Sequence, residues 1–203
     1  TANITGAVIG LWDVAGSVSK FSAASAASTF TLKTTQSVSS ATFRGAFNGS
    51  LEVGNQLGTF SAAAGTEPSI TANGSANRVS FAGTANSLFM SVGGDINSFS
   101  ANQLISSRIY AGLTRLDQGQ IFPAAANTNY FYRASLINSF SVRGSRLPAS
   151  APFAFDNSVV VAVNIRSISL GSVNTSTNVA SGVSADNIGA LTFRPPASNT
   201  VSL

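Results

Sequence analysis

"INSFSANQLISSRIYAG", residues 96–112, decides the fold. Its first six residues follow the pattern Φ-x-x-Φ-Ser-Φ, where Φ is apolar or small. Hexapeptides of this kind, with Ser or Thr at the fifth place, begin at Val18, Val38, Leu57, Ala76, Ile96, Ile137, Ile165 and Ile188. Successive starts lie 20, 19, 19, 20, 41, 28 and 23 residues apart. Four consecutive steps of 19 or 20 define a repeat, and a repeat governs any local reading of the chain. The step of 41 reads as about two units, and the steps of 28 and 23 as single units with insertions.

The second half of the stretch carries a second element. Ile109 and Ala111 follow Phe99 at ten and twelve residues, as Leu51 and Val53 follow Ala41 and Ile70 and Ala72 follow Phe60. Phe30 and Leu32 follow Phe21 at nine and eleven, and Val201 and Leu203 complete the series after Leu191. Gly54, Asn73, Gly93 and Gly112 close the element. Alternation with period two is the strand signature, and the intervening Ser or Thr faces the opposite side. Each unit is therefore read as two short strands separated by turn residues.

The Φ-x-x-Φ step requires a bend, because a straight strand returns to one face every two residues. Asn and Ser, as in Asn97-Ser98, readily satisfy the backbone of such a bend. Both apolar residues then point into one interior around a corner, as in a solenoid. Units this small bury their apolar stripes only by stacking on one another. The predicted ladder places Ile96 over Ala76, Leu57 and Val38, about 4.8 Å per step. It buries Phe60, Phe99, Phe140, Ile168 and Leu191 and turns Ser61, Ser100, Ser141 and Ser169 outward. A β-propeller would require near-equal blades of about 40 residues. A β-sandwich fits the strand spacing but does not require one hexapeptide eight times. The favoured fold is all-β: a parallel β-solenoid (β-helix) forming one domain over 1–203. Regular rungs of about 20 residues occupy 1–112, and rungs with loop insertions occupy 113–203.

Composition supports stacked β-structure. Hydrophobic residues make up 44% of the chain and charged residues only 9%, against about 25% charged in ordinary soluble domains. Ser, Thr, Asn, Gly and Ala take the place of charge. The absence of Cys and His excludes disulfides, thiolate chemistry and Cys/His zinc sites. No apolar run approaches the roughly 20 residues of a membrane span; the longest, Val159 to Val163, is of strand length. No charged-then-apolar leader opens the sequence, which reads as mature or cut from something longer. The net charge of +4 resides in residues 102–203, while 1–101 sum to zero, so the second half is the one suited to acidic partners.

The stretches "GGDINSFSANQLISSRIYAGL", "SLINSFSVRGSRL" and "NSVVVAVNIRSISLGSVNTSTNVASGVSADNIGALTF", together with "LWDVAGSVSKFSAAS", resemble repeat segments in very large extracellular proteins of planctomycete-type bacteria. The resemblance covers most of the chain and its motifs are structural. It implies a secreted or surface-attached β-solenoid and carries over no catalytic or ligand residue.

The search for chemistry finds no Walker loop and no dinucleotide fingerprint. Gly93-Gly94-Asp95 faintly resembles a calcium-binding glycine-rich repeat but lacks the tandem motif, so no metal or other cofactor is expected. The seven carboxylates stand singly. Asp95 with Asp117, or Asp156 with Asp186, are the pairs that rungs could bring together for glycoside hydrolysis, and turn positions explain each of them as well. Without His there is no Ser-His-acid relay. Clustered cations with interleaved aromatics, the footprint of nucleic-acid binding, occur only loosely, between Arg115 and Arg146.

That segment nevertheless holds the candidate contact residues. "LDQGQIFPAAANTNYFYRAS" and "RGSRLPASAPFAFDNS" depart from the repeat, and insertions on solenoids form loops that often bind. Tyr130, Tyr132, Arg133, Arg143 and Arg146 are the residues expected to touch a ligand or partner, beside Phe122, Phe131, Phe153 and Phe155. Packing of these aromatics on the solenoid wall is the competing reading. Sequons at Asn3, Asn48, Asn73 and Asn174 matter only in a host that glycosylates its surface. The function expected is that of a non-enzymatic extracellular structural protein: a rigid rod of a cell surface, matrix or filament. Its partner would be itself, joined laterally or end to end through strands such as Leu11–Val14 and Val201–Leu203. The alternative is a carbohydrate-binding or adhesive module that takes an acidic polysaccharide or cell-surface glycan on the inserted loops. Nucleic acid is not an expected partner.

Overall fold

The computed structural model describes residues 1–112, 134–145, 147, 150, 152–176 and 181–193. The first rung comprises β1 (Ala2–Asn3), β2 (Ala7–Val8) and β3 (Leu11–Val14), and the second β4 (Phe21–Ala23), β5 (Ser25–Ala26) and β6 (Thr31–Thr34). Four rungs of two strands follow: β7 (Val38–Ala46) and β8 (Ser50–Val53), β9 (Leu57–Thr66) and β10 (Ser69–Ala72), β11 (Ala76–Asn86) and β12 (Phe89–Val92), β13 (Ile96–Ile105) and β14 (Arg108–Ala111). The seventh holds β15 (Leu136–Val142), β16 (Phe155–Asp156) and β17 (Val159–Val161); the eighth holds β18 (Asn164–Leu170) and β19 (Gly182–Ser184); and β20 (Asn187–Phe193) opens a ninth. Among the described residues there is no helix.

Every strand pair is parallel, and each strand lies beside its equivalent one rung away. One sheet runs β1-β4-β7-β9-β11-β13-β15-β18-β20, with β16 pairing off β13; a second runs β3-β6-β8-β10-β12-β14-β17-β19; and β2 pairs with β5 in a small third. The chain is thus the parallel β-solenoid that the repeat predicts. Val38 pairs with Leu57, Leu57 with Ala76 and Ala76 with Ile96. The Φ-x-x-Φ corner lies within the long strands: Leu57 and Phe60 are both buried while Gly58 and Thr59 between them are not.

The long strands also bend again past their third apolar residue, with a register shift after Phe43 and after Phe81. One strand therefore turns a second corner, beyond the Φ-x-x-Φ corner that the sequence reading contains. The third side is the second sheet. At the corner before it, Glu67, Ser87, Ser106 and Asn157 all take positive φ, at 55°, 55°, 48° and 44°. That conformation costs a non-glycine residue about 1–2 kcal/mol. A backbone hydrogen bond to the next rung offsets it: Glu67 N–H donates to the Asn86 carbonyl at 2.8 Å, Ser87 to Ile105 at 2.8 Å and Ser106 to Asp156 at 2.9 Å. Just inside this corner, buried Ser107 accepts from Leu88 N–H at 3.0 Å and donates to the Ile105 carbonyl at 2.7 Å. Ser158 repeats the arrangement one rung on, accepting from Ser107 N–H at 3.0 Å.

The core is a set of stacked columns. Phe60, Phe99, Phe140 and Ile168 are buried as expected, and Ser61, Ser100, Ser141 and Ser169 stand half-buried on the outer side. Leu191 departs from expectation: it occupies the same column, pairing with Ile168, yet is 62% exposed, with Ile188 at 42% and Phe193 at 48%. Among the described residues no strand stacks on the far edge of β20.

Two further expectations are corrected. The 41-residue step is one rung, since Ile96 pairs directly with Ile137. In the second rung, Leu32 and Thr34 are the partners of Leu51 and Val53, and Phe30 fills the interior one step earlier, because this rung turns its corner through a separate strand, β5. Ala2–Asn3 pair with Phe21–Ser22, so the stacking reaches into the first residues. Val201 and Leu203 lie outside the described residues.

Candidate functional site

Of the five residues expected to contact a ligand, Tyr130, Tyr132, Arg133 and Arg146 lie outside the described residues. Arg143 follows β15 and is exposed; its backbone N–H is held by the Ala101 carbonyl at 3.0 Å. It stands between two shallow grooves, one lined by Ser61, Ser80, Ser100 and Asn102, the other by Ser141, Ser169 and Gly171. Beside it, Asn102 holds Ser145, Oδ1 accepting from the Ser145 N–H at 2.9 Å. Phe155 is not a loop aromatic. It belongs to β16, pairs with Leu104 and is buried in the core.

Two of the carboxylates that the sequence pairs for hydrolysis, Asp95 and Asp156, accept hydrogen bonds within the solenoid. Asp117 lies outside the described residues. Asp95 accepts from the Leu136 N–H at 2.9 Å. Asp156 accepts from Asn174 Nδ2 at 2.8 Å, and the Asp186 backbone N–H donates to the Val163 carbonyl at 2.9 Å. Among the described residues no three metal-capable side chains gather.

A larger groove, about 460 Å³, follows the corner where the Φ-x-x-Φ bend falls. An amide ladder edges it. Asn97 Nδ2 donates to Asn77 Oδ1 at 3.0 Å, Asn138 Nδ2 donates to Asn97 Oδ1 at 3.0 Å, and Arg166 Nη1 reaches Asn138 Oδ1 at 3.4 Å. Most of the ladder's polar capacity is spent on itself, so it braces the corner.

The outer face of the second sheet carries a different constellation, which the sequence reading missed. Two columns point outward there. One runs Thr31, Ser50, Ser69, Phe89, Arg108 and the other Lys33, Glu52, Thr71, Ser91, Tyr110. Phe89 takes a slot that the three rungs before it fill with Thr31, Ser50 and Ser69, and it is 44% exposed. Arg108 is its neighbour one strand on and is exposed. The Tyr110 ring meets Phe89 edge-on, with centroids 6.2 Å apart and planes at 60°. Tyr110 is buried; desolvation pushes its hydroxyl pKa above the usual value, and the positive charge of Arg108 opposes that rise. The signal for Phe89 and Arg108 lies in the register: aligned rung by rung, "SITA" gives way to "FMSV" and then "RIYA".

Comparison with protein families, with curated proteins and with solved structures finds no match.

Proposed function

We propose that this chain is a non-enzymatic structural β-solenoid of a bacterial surface or extracellular matrix, and that it associates with copies of itself. The observation that carries this reading is the open edge at β20. Ile188, Leu191 and Phe193 occupy interior columns there and face solvent. An unpaired strand edge recruits another strand, and covering the apolar columns beneath it is favourable by roughly 25 cal/mol per Å². In the first rung, Trp12 pairs with the buried Leu32 and is itself 39% exposed. The low charge of the chain, its neutral ladders and its resemblance to extracellular planctomycete-type repeats agree with a rod-forming role.

Sedimentation velocity over a wide concentration range, with electron micrographs of the same samples, tests the proposal. Concentration-dependent growth into rods is the expected result, reversed by Leu191→Lys with Phe193→Lys. A chain that sediments as a monomer throughout, or whose association ignores both substitutions, overturns it. Arg143, beside its two serine-lined grooves, favours a second reading as an adhesive, glycan-binding module.

A further inference from the structure

We infer that Phe89 and Arg108 form a binding site for an acidic polysaccharide, specifically a chain of uronic acid residues, on the outer face of the second sheet. This site is separate from the open edge and from the loop residues around Arg143, and it does not depend on self-association.

The argument starts from what surrounds Phe89. Toward the first rungs its neighbours on this face are Ser50, Ser69, Thr71 and Ser91, all half-buried and small. They form a floor of hydroxyls across three strands, β8, β10 and β12, at about 4.8 Å per strand. Among the described residues no larger side chain stands in register on that side, and the ring is 44% exposed, so it can receive a flat ligand. Tyr110 braces the ring from the other side. An exposed aromatic on a rigid sheet loses little conformational freedom on binding, and its apolar face suits the C–H face of a pyranose ring.

Charge selects among sugars. The Arg108 backbone N–H donates to the Leu88 carbonyl at 2.7 Å, while its side chain has no hydrogen bond or ion pair with another described residue and presents a planar fork that matches a carboxylate. The other cation of this face, Lys33, stands in its column between Asp13 and Glu52. Among the described residues Arg108 is thus the cation beside the floor that has no carboxylate next to it in its column. One cation is too few for nucleic acid, whose affinity comes from neutralising several phosphates at once. One aromatic platform, one carboxylate fork and a row of hydroxyls fit a chain of alternating apolar faces, carboxylates and hydroxyls.

The experiment is affinity electrophoresis of the whole chain through gels containing polygalacturonate, dextran, dextran sulfate or polyglutamate, with Kd for polygalacturonate measured by calorimetry. The variants are Phe89→Ser, which restores the residue of the two preceding rungs, and Arg108→Gln. Circular dichroism and thermal melting verify that both stay folded. Retardation by polygalacturonate and not by dextran is expected, with each variant weakening it about tenfold or more. The salt dependence of binding should be shallow, near one released counterion. Equal retardation by polyglutamate and polygalacturonate, or strongest retardation by dextran sulfate with no effect of Phe89→Ser, means a generic charge attraction and overturns the site. So does the absence of any retardation by polygalacturonate.

Discussion

Phe140 lies face to face on Phe99, with ring centroids 4.9 Å apart and planes 10° from parallel, although forty-one residues separate them in the chain. Both are buried, and their backbones pair in register between β13 and β15. This stack carries the solenoid past its largest interruption. Phe140→Ala should cost about 3–5 kcal/mol of stability. A double-mutant cycle with Phe99→Ala should return a coupling of about 0.5–1.5 kcal/mol. Denaturant unfolding measures both, and a near-zero cost for Phe140→Ala would mean that the rungs after 136 do not stack on the rest.

Ile168 and Leu191 occupy one column in adjacent strands but differ in cover. Ile168 is buried, so Ile168→Ala should destabilise by about 2–5 kcal/mol. Leu191 is mostly exposed, and Leu191→Ala should cost under about 1 kcal/mol in dilute protein. If the two substitutions cost the same under those conditions, the β20 edge is covered rather than open.

Gly65 sits inside a bend. A Cβ there would lie 2.6 Å from the Phe47 carbonyl oxygen and 2.9 Å from Pro68 Cγ. The carbonyl belongs to the adjacent rung's backbone and cannot swing aside as a side chain would. Gly65→Ala should therefore destabilise by about 1–3 kcal/mol, read as a lowered melting temperature. Gly6, whose Cβ would meet nothing within 4 Å, supplies the contrast: Gly6→Ala should change little.

Buried and exposed ladders should respond unequally. Ser107→Ala leaves the buried Leu88 N–H without its acceptor, at a cost of about 1–3 kcal/mol. Asn97→Ala breaks two amide contacts at an exposed corner, where water replaces them, and should cost about 1 kcal/mol or less. Hydrogen exchange of the Leu88 amide should accelerate in the first variant alone.

Alkaline pH tests the Tyr110 environment. Its folded pKa is raised by burial, so the folded state holds the phenolic proton where the unfolded chain has released it. The associated stability is intact below about pH 10, the unfolded value, and falls as pH rises from there through the folded pKa. Unfolding midpoints measured between pH 8 and 11 should decline more steeply for the native chain than for Tyr110→Phe. Parallel declines would show that Tyr110 titrates normally.

Architecture was legible in the sequence because a solenoid uses the same contact on every rung. Val38, Leu57, Ala76 and Ile96 could be aligned by spacing alone, and the period also dictated that hydroxyls face outward while phenylalanines stack inside. The hexapeptide reports only its own side of the rung. Residues after the second bend, such as Ala64 to Thr66, carry no strong pattern, since Gly65 is small to make room for Phe47 and Phe81 rather than to fill the core itself. The step from Ile96 to Ile137 misled for a related reason: a length of two units is equally one unit with an insertion, and only backbone pairing tells the two apart.

The candidate sites divide along the same line. Composition and motif search pointed to aromatics and arginines where the repeat breaks, which placed Phe155 among loop residues. Its pairing with Leu104 puts it in the core. Phe89 and Arg108 are nineteen residues apart and unremarkable in the linear text, yet the parallel register seats them side by side. The sequence by itself determined the period, the inward and outward columns and the parallel stacking, because those follow from local alternation repeated at constant length. Tertiary structure alone decided which rung follows which across an insertion, which columns end uncovered and which side chains share a face, because these depend on register between strands distant in the chain.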